Sequence, residues 1–455
     1  MIKAKSSALL GAALAALAAA AAQDPGKKAA LPWGSDPPAA PAYARAAAIS
    51  ALGRQIFFDP GLSASGTMSC ATCHDPANHF GPPNALPVQR GGPKLDRSGT
   101  RATPGLTYVA STPFFTEHYY ESEDEGDESV DQGPAGGRTW DGRVNRARDQ
   151  ATIPLLASNE MANSSEASVV AHAAAAPYAS QMRRIYGDSI FRDAHRAFAA
   201  IGEALEAYQQ TPAEFSPFTS KYDAFLRGQT ELTAQEARGL AVFNDPARGN
   251  CVHCHKSQLS PVGRLPMFTD SGYVAVGVPR NNEIPANRDP KHFDLGACGP
   301  NRKDLASRPE FCGLFKAPTL RNVASRKSFY HNGVFHSLED AVAFYATRDT
   351  NPERWYPVGP NGKVKKFDDL PAEYQSNINF EPPFGRHPGE PPAMSTQDIA
   401  DIVAFLRTLT DGFEPTQRAG AAAISNETVL RPNTPPAGVA ASSRQPAADN
   451  RVALE

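Results

Sequence analysis

Two Cys-x-x-Cys-His pentapeptides constrain this chain of 455 residues more than any other feature. In such a pentapeptide both thiols add to the vinyl groups of a haem, and the adjacent histidine reaches the iron as its proximal ligand. One helical turn places the two sulfurs and the imidazole on the same edge and face of the haem. The pattern therefore predicts two covalently bound haem c groups, held by Cys70, Cys73 and His74 and by Cys251, Cys254 and His255.

A zinc site is the alternative use of the same cysteines, because two Cys-x-x-Cys pairs can supply four thiolates to one Zn²⁺. A histidine directly after each pair favours haem, and so does the character of the N-terminus. Lys3 and Lys5 precede an apolar run of Ala, Leu and Gly over residues 8–22, which is typical of a signal peptide. We therefore expect a cleaved signal peptide at 1–22 and a periplasmic location.

The composition limits the class of protein. Lys plus Arg number 45 and Asp plus Glu number 48, giving a formal charge of −3, and the mean hydropathy is −0.41. These values exclude a polycationic nucleic-acid binder and a multi-span membrane protein, so we expect neither nucleic acid nor a membrane span. Pro (41) and Gly (35) are abundant, which predicts long irregular loops.

The surroundings of the two motifs resemble each other. Each motif follows a predicted helix and a Pro/Gly loop, in LGRQIFFDPGLSASGTMSCATCH near residue 52 and in GLAVFNDPARGNCVHCH near residue 239. Helical periodicity recurs over 192–210, 337–345 and 396–409, and Thr233 with Glu236 has capping-box spacing. We predict a mainly α fold with two cytochrome c-like haem domains and long irregular loops. The predicted boundaries are a linker at 23–45, an N-terminal domain at 46–228, a C-terminal domain at 229–413 and a disordered tail at 414–455.

Cys298 and Cys312 remain outside the two motifs. In an oxidising compartment a disulfide between them is the expected state, and it would pin a Pro/Gly-rich loop. Two free thiols are the alternative.

Further motifs resemble those of the bacterial di-haem cytochrome c peroxidases, and the resemblance runs from about residue 50 to 413. The motifs are RTWDGR at 138–143, NEM at 159–161, PTLRNV at 318–323 and FYHNG at 329–333. The resemblance implies that the N-terminal haem, with His74 as its proximal ligand, reacts with hydrogen peroxide. It also implies that the C-terminal haem, with His255 as its proximal ligand, accepts electrons.

The distal ligand of the C-terminal haem separates two branches of this family. Ordinary members carry a Met fourteen residues after the histidine of the FYHNG-type motif, and that position is Tyr345 here. Ser337 can cap a helix that points Tyr345 inward. The register therefore implies Tyr345 as an iron ligand and places the chain in the MauG-like branch. A core tyrosine is the alternative, with Met267 and Met394 as competing ligands.

The residues of the peroxide site are also inferred from their positions. The family's second N-terminal histidine falls at Arg90, so we expect this haem to be open to peroxide. Glu160 matches the family's acid–base glutamate, although Ala157 and Ser158 depart from its Asn-Pro pattern. An exposed carboxylate at a helix end is the alternative for Glu160. Trp140 matches the family's tryptophan between the haems, an electron relay that is compatible with a buried core position.

Two further features bear on cofactors and partners. The family places a Ca²⁺ between its domains, bound by an Asn side chain and two backbone carbonyls. Ala102 replaces that Asn and Ser328 replaces a Pro at one carbonyl, so calcium stays an open alternative. The acidic stretch 117–131 is not part of the resemblance, and it is either a solvated loop or a docking patch for a basic partner.

The combined interpretation is a periplasmic di-haem peroxidase that reduces hydrogen peroxide, with Glu160 and Trp140 as catalytic residues. Electrons are expected from a small cytochrome c or a cupredoxin, relayed through the C-terminal haem. One alternative is oxidation of a Trp or Tyr on a partner protein. Another is a non-enzymatic di-haem electron carrier.

Overall fold

The computed structural model describes residues 40–120 and 131–415. The predicted signal peptide, most of the linker, most of the acidic stretch and nearly all of the predicted tail lie outside the described residues. The chain divides into two units, Met1–Ala48 and Ile49–Glu455, and every contact discussed below lies within the second. None of the helices in the described ranges combines the length and the apolar character that crossing a membrane requires.

The described chain is mainly helical, as predicted, and its strands are only two residues long. The helices before residue 220 are α1 (Ala40–Phe57), α2 (Cys70–Cys73), α3 (Ala147–Leu156), α4 (Glu166–Ala175), α5 (Ala179–Tyr186), α6 (Ala194–Gln209) and α7 (Pro212–Phe215). Those that follow are α8 (Lys221–Leu226), α9 (Ala234–Asn244), α10 (Leu338–Thr347) and α11 (Thr396–Arg407). The antiparallel strand pairs are β1 (Arg90–Gly91) with β2 (Arg97–Ser98) and β3 (Tyr273–Val274) with β4 (Phe315–Lys316).

Local capping fixes where the predicted helices begin. The Glu236 N–H donates to Thr233 Oγ1 (3.3 Å), and the Thr233 N–H donates to Glu236 Oε2 (2.7 Å), which starts α9 at Ala234. In the same way Ser337 Oγ accepts the Asp340 N–H (3.0 Å) at the start of α10. Both caps satisfy backbone donors that a helix start leaves unpaired, and both confirm the prediction.

The similarity between the two halves extends to a close helix crossing. A Cβ atom on Gly239 of α9 would lie 1.9 Å from the carbonyl oxygen of Asp401 in α11. A Cβ atom on Gly53 of α1 would lie 1.8 Å from the carbonyl oxygen of Ala204 in α6. The two glycines occupy equivalent positions in the repeated segments. Only glycine permits such a contact between helix backbones.

Side chains around these crossings form two hydrophobic clusters. The first runs in sequence from Ile49 to Phe215 and the second from Tyr222 to Leu409. A third, small cluster surrounds the disulfide between Cys298 and Cys312, which confirms the expected pairing. The domains at 46–228 and 229–413 stay a proposal: the first two clusters divide the chain between Phe215 and Tyr222, which assigns α8 to the second cluster.

Candidate haem-binding and active site

The first haem motif occupies α2 and the residue after it. Cys70 and Cys73 are free thiols, and burial raises the pKa of each to about 12. His74 Nδ1 lies 3.3 Å from the carbonyl oxygen of Phe80, and burial lowers the His74 pKa to about 4. A neutral imidazole that donates through Nδ1 keeps the Nε2 lone pair for a metal. The motif is therefore arranged as a haem ligand set requires.

The second motif repeats this arrangement. Cys251 begins a short 3₁₀ helix, and burial raises the pKa of both Cys251 and Cys254 to about 12. His255 Nδ1 lies 2.8 Å from the carbonyl oxygen of Phe268, and burial lowers the His255 pKa. Each motif histidine thus faces a backbone carbonyl further along the chain, six residues on for His74 and thirteen for His255, and such a contact fixes the tautomer and ring orientation.

A cavity of about 350 Å³ opens beside the second motif. Residues of both hydrophobic clusters contribute to its wall, so the cavity reaches from the second motif to the loop after the first. Its wall includes His79 from the loop after the first motif, Cys251, Cys254 and His255 of the second motif, and Trp140, Tyr345 and Met394.

Buried cations in the cavity wall test whether a haem fits. Burial lowers the pKa of Arg138, whose Nε is buried without a hydrogen-bond partner. Burial also lowers the Lys316 pKa to about 7, and the nearby Arg138 charge lowers it further. Lys316 Nζ donates to the carbonyl oxygen of Gly137. Glu206 raises the Arg138 pKa and Asp141 raises the Lys316 pKa, but neither offsets the effect of burial, so further anionic partners would stabilise both cations. The propionates of a haem supply that charge, so these residues fit the cofactor.

Tyr345 lies on α10 and lines the cavity, so it points inward as predicted. Burial raises its pKa, the nearby Cys254 and Cys251 sulfurs raise it further, and a hydrogen bond with Tyr330 lowers it. The Tyr345 ring stacks on Tyr330 and Phe384, with ring centroids 6.0 and 5.2 Å apart. This packing holds the hydroxyl near the second motif in one orientation.

The two methionines that compete with Tyr345 differ in position. Met394 is 1% exposed and lines the same cavity. Met267 is half-buried, and its carbonyl oxygen accepts the Thr319 hydroxyl. Met394 is therefore the competitor that experiments must separate from Tyr345.

Glu160 lies in the turn after α3, beside the first motif. Its N–H donates to the Ala157 carbonyl (2.9 Å) and its own carbonyl accepts the Gly92 N–H (2.7 Å). The side chain is accessible, yet enough protein surrounds it that desolvation raises the carboxyl pKa, while Arg143 lowers it. The Glu160 charge in turn raises the pKa of Cys70 and Cys73. The carboxyl is thus near the haem attachment point, with a pKa shifted towards that of a proton shuttle.

Trp140 is half-buried in the cavity wall and is held from two sides. Its indole Nε1 donates to the carbonyl oxygen of Ala102 (2.8 Å), and its own carbonyl accepts the Lys316 N–H (2.9 Å). The indole is therefore fixed between the loop after the first motif and β4.

The structure brings Trp140 and Tyr345 to the cavity beside the second motif, whereas Glu160 lies at the first. Sequence reasoning missed Arg138 and Lys316 as candidate propionate partners. Arg138 opens the RTWDGR motif and could have been found there, but Lys316 lies in no motif.

Comparisons with known proteins agree with this geometry. Residues 47–231 match the family described as di-haem cytochrome c peroxidase. Over 384 residues the chain is 36% identical to the methylamine utilization protein MauG of Paracoccus denitrificans, covering 81% of this chain and 90% of that protein. Over 298 residues it is 26% identical to the cytochrome c551 peroxidase of Nitrosomonas europaea, with coverages of 65% and 71%.

A solved structure agrees with both sequence matches. The diheme peroxidase BthA from Burkholderia thailandensis is 41% identical, with a TM-score of 0.71 over 80% of this chain and 86% of that one. These relatives are named as peroxidases or as MauG. The chain therefore belongs to the di-haem cytochrome c peroxidase family, a family of oxidoreductases that carry haem c.

Proposed function

We propose that this protein is a periplasmic peroxidase that reduces hydrogen peroxide at the haem of Cys70, Cys73 and His74. The observation that carries the proposal is the position of Glu160, a carboxyl with a raised pKa beside the first motif. The second motif has a tyrosine, Tyr345, in the wall of its cavity. In this proposal the first site, with a proton acceptor beside it, reacts with peroxide, and the second site, with Tyr345 in its wall, stores electrons.

Haem c, when bound, supplies the redox-active iron for a reaction that consumes two electrons and two protons per peroxide and yields two waters. The chain's own contribution begins with His74, whose Nε2 is available to the metal because Nδ1 faces the Phe80 carbonyl. The Glu160 carboxylate accepts a proton from one peroxide oxygen and returns it to the other, so that water leaves. A raised pKa suits both halves of this transfer.

Trp140 and Tyr345 serve the electron path in this proposal. Trp140 is fixed by hydrogen bonds at its indole and at its backbone, so little rearrangement accompanies its oxidation and reduction. Tyr345 would hold the iron of the second haem through its phenolate oxygen, an anionic donor that would favour the ferric state. The electron donor is proposed to be a small cytochrome c or a cupredoxin.

Oxidation of a Trp or Tyr on a partner protein is the second candidate. The observation that favours it is Tyr345 in the cavity wall, together with 36% identity to a protein named MauG. In this case the oxidised haems would take their electrons from a Trp or Tyr side chain of the partner protein rather than from a donor cytochrome or cupredoxin.

A glutamate-to-glutamine pair tests the role of Glu160. Glu160→Gln removes the proton acceptor and should slow the reaction of the diferric holoprotein with peroxide by roughly 10²-fold or more. Glu166→Gln is the matched control, because Glu166 forms a surface ion pair with His195 (3.0 Å) and such pairs contribute little. Stopped-flow absorbance in the Soret region gives the rate. An unchanged rate in Glu160→Gln would assign Glu160 to structure.

Turnover separates the two candidate functions. A donor-driven peroxidase consumes peroxide catalytically when a reduced small cytochrome or cupredoxin is present, and only stoichiometrically without it. A protein oxidase instead leaves cross-linked or hydroxylated Trp or Tyr residues on its partner, which peptide mass spectrometry detects. Mass spectrometry of the exported protein also tests for two haems and for loss of residues 1–22.

A further inference from the structure

Arg326 reaches two backbone carbonyls that belong to distant parts of the chain. Its Nη2 donates to the carbonyl oxygen of Thr103 (3.0 Å), and its Nε donates to the carbonyl oxygen of Ser328 (3.2 Å). The Ala102 N–H beside this contact donates to the His331 carbonyl (2.7 Å). The guanidinium therefore fastens the loop after the first haem motif to the FYHNG segment.

The charge of Arg326 has no carboxylate counterpart. Burial lowers its pKa to about 10, and no acidic side chain counters that shift. Among the described residues no Asp or Glu forms an ion pair with it, although many other arginines have one. Its hydrogen-bond partners are the two carbonyl oxygens, a ligand type that proteins also offer to Ca²⁺. Arg326 also lines the cavity beside the second motif, and its charge lowers the pKa of His74.

Calcium does not fit the same place. Ala102, where the related peroxidases carry an Asn ligand, has no side-chain oxygen and is 1% exposed. The Ser328 carbonyl already accepts a hydrogen bond from Arg326 Nε, and the buried Ser328 Oγ, which has no hydrogen-bond partner within the described ranges, adds one side-chain oxygen. The described residues contain no cluster of three or more His, Cys, Asp or Glu side chains that could hold a metal. Ca²⁺ takes 6–8 oxygen ligands, and a second cation beside the guanidinium would be repelled.

We propose that the Arg326 guanidinium takes the place of the Ca²⁺ ion. The cation that links the loop after the first haem motif to the FYHNG segment is then part of a side chain, and the protein needs no calcium. The shared atom is the Ser328 carbonyl oxygen, which stands at one of the family's two calcium-binding carbonyl positions and here accepts a hydrogen bond from the guanidinium. A side chain cannot dissociate, and the link is therefore insensitive to chelators and to calcium concentration.

Metal analysis of the wild-type holoprotein is the direct test. After exchange into EGTA and then into metal-free buffer, the protein should contain two Fe and no Ca per chain. Its unfolding midpoint and its absorption spectrum should be the same in EGTA and in CaCl₂. One retained Ca per chain, or a midpoint that falls in EGTA and recovers in CaCl₂, would overturn the proposal. These readouts do not depend on the proposed peroxidase activity.

A gain of calcium binding tests the shared position. Ala102→Asn combined with Arg326→Thr restores an amide oxygen and frees the Ser328 carbonyl from the guanidinium. This double variant should show an unfolding midpoint that rises by a few degrees when CaCl₂ replaces EGTA, because a ligand that binds only the folded state stabilises it.

Lys327→Thr is the matched control, since Lys327 is the exposed cation next to Arg326 and its loss should create no calcium response. A folded double variant that ignores calcium would show that Arg326 is only a clamp between loops. If the double variant does not fold, the metal content of the wild-type protein decides the question alone.

Discussion

Gly91 controls where Glu160 lies, and an added methyl group there gives a sharp test of the peroxide site. A Cβ atom on Gly91 would lie 2.4 Å from the Asn159 carbonyl oxygen and 2.7 Å from Glu160 Cα. Both atoms belong to backbone, which cannot rotate away. The Glu160 turn would have to move by roughly 1 Å before the contacts became ordinary, and the hydrogen bond from the Gly92 N–H to the Glu160 carbonyl would lengthen with it.

A displacement of this size predicts a specific loss of activity. Misplacing a catalytic group by about 1 Å can lower a rate by roughly 10²-fold, and overpacking costs about 1–3 kcal/mol of stability. We therefore expect Gly91→Ala to keep both haems but to react with peroxide about 10²-fold more slowly, as measured by stopped-flow absorbance per haem. Gly359→Ala is the control, because Gly359 lies outside the cavity wall and its Cβ would meet first the side chains of Asn361 (3.1 Å) and Lys365 (3.3 Å), which can move.

The double variant shows whether the loss acts through the carboxyl. In a Glu160→Gln background the proton acceptor is already absent, so adding Gly91→Ala should slow the reaction little further. If Gly91→Ala reacts at the wild-type rate with normal haem content, the position of Glu160 does not matter. If the two losses multiply instead, Gly91 acts on something other than Glu160.

The remaining predictions concern the second haem, pH, the relay and the donor. Tyr345→Phe should remove the low-spin ferric EPR signal and Met394→Leu should keep it, and the opposite pattern would make the second haem a His/Met centre. Desolvation raises the Glu160 pKa, and the carboxyl must be deprotonated to accept a proton from peroxide. The peroxide rate should therefore rise with pH, and this rising part of the pH profile should lie above the usual Glu pKa of about 4.3. The rising part should vanish in Glu160→Gln, and its persistence would assign it to another group. Trp140→Phe should leave haem content unchanged and slow donor-driven turnover, and full turnover would exclude the relay. If the acidic stretch 117–131 docks a basic donor, turnover should fall as ionic strength rises, and a flat salt profile would favour a solvated loop.

The sequence is most informative where the chemistry needs neighbouring residues. Haem attachment requires two thiols and an imidazole within five positions, so Cys70 to His74 could be identified without any fold. Capping depends on a spacing of three residues, and for that reason the start of α9 after Thr233 was predictable. The inward direction of Tyr345 followed from helical periodicity in the same way.

The rest of the site depends on contacts between distant parts of the chain. Arg101 donates to Asp294, 193 residues away, and to Asp141 beside Trp140, and no local pattern indicates such pairs. The lowered pKa of Lys316 comes from burial, and the raised pKa of Glu160 comes from desolvation by the protein around an accessible side chain; only the packed structure defines either surrounding. Nothing in the sequence around Arg326 indicates its two carbonyl partners, of which Thr103 lies 223 residues away.

The matching helix crossings at Gly53 and Gly239 have a consequence for the ancestry of the chain. A single-haem ancestor that was duplicated would pass the same backbone contact to both copies, in the helix that precedes each haem motif. The copies would then be free to diverge where no backbone contact restricts them. The loops beyond the crossings are where they differ, since one half carries the Glu160 turn and the other carries α10 with Tyr345. Specialisation of the two haems would thus have required new loops and left the ancestral helix pair unchanged.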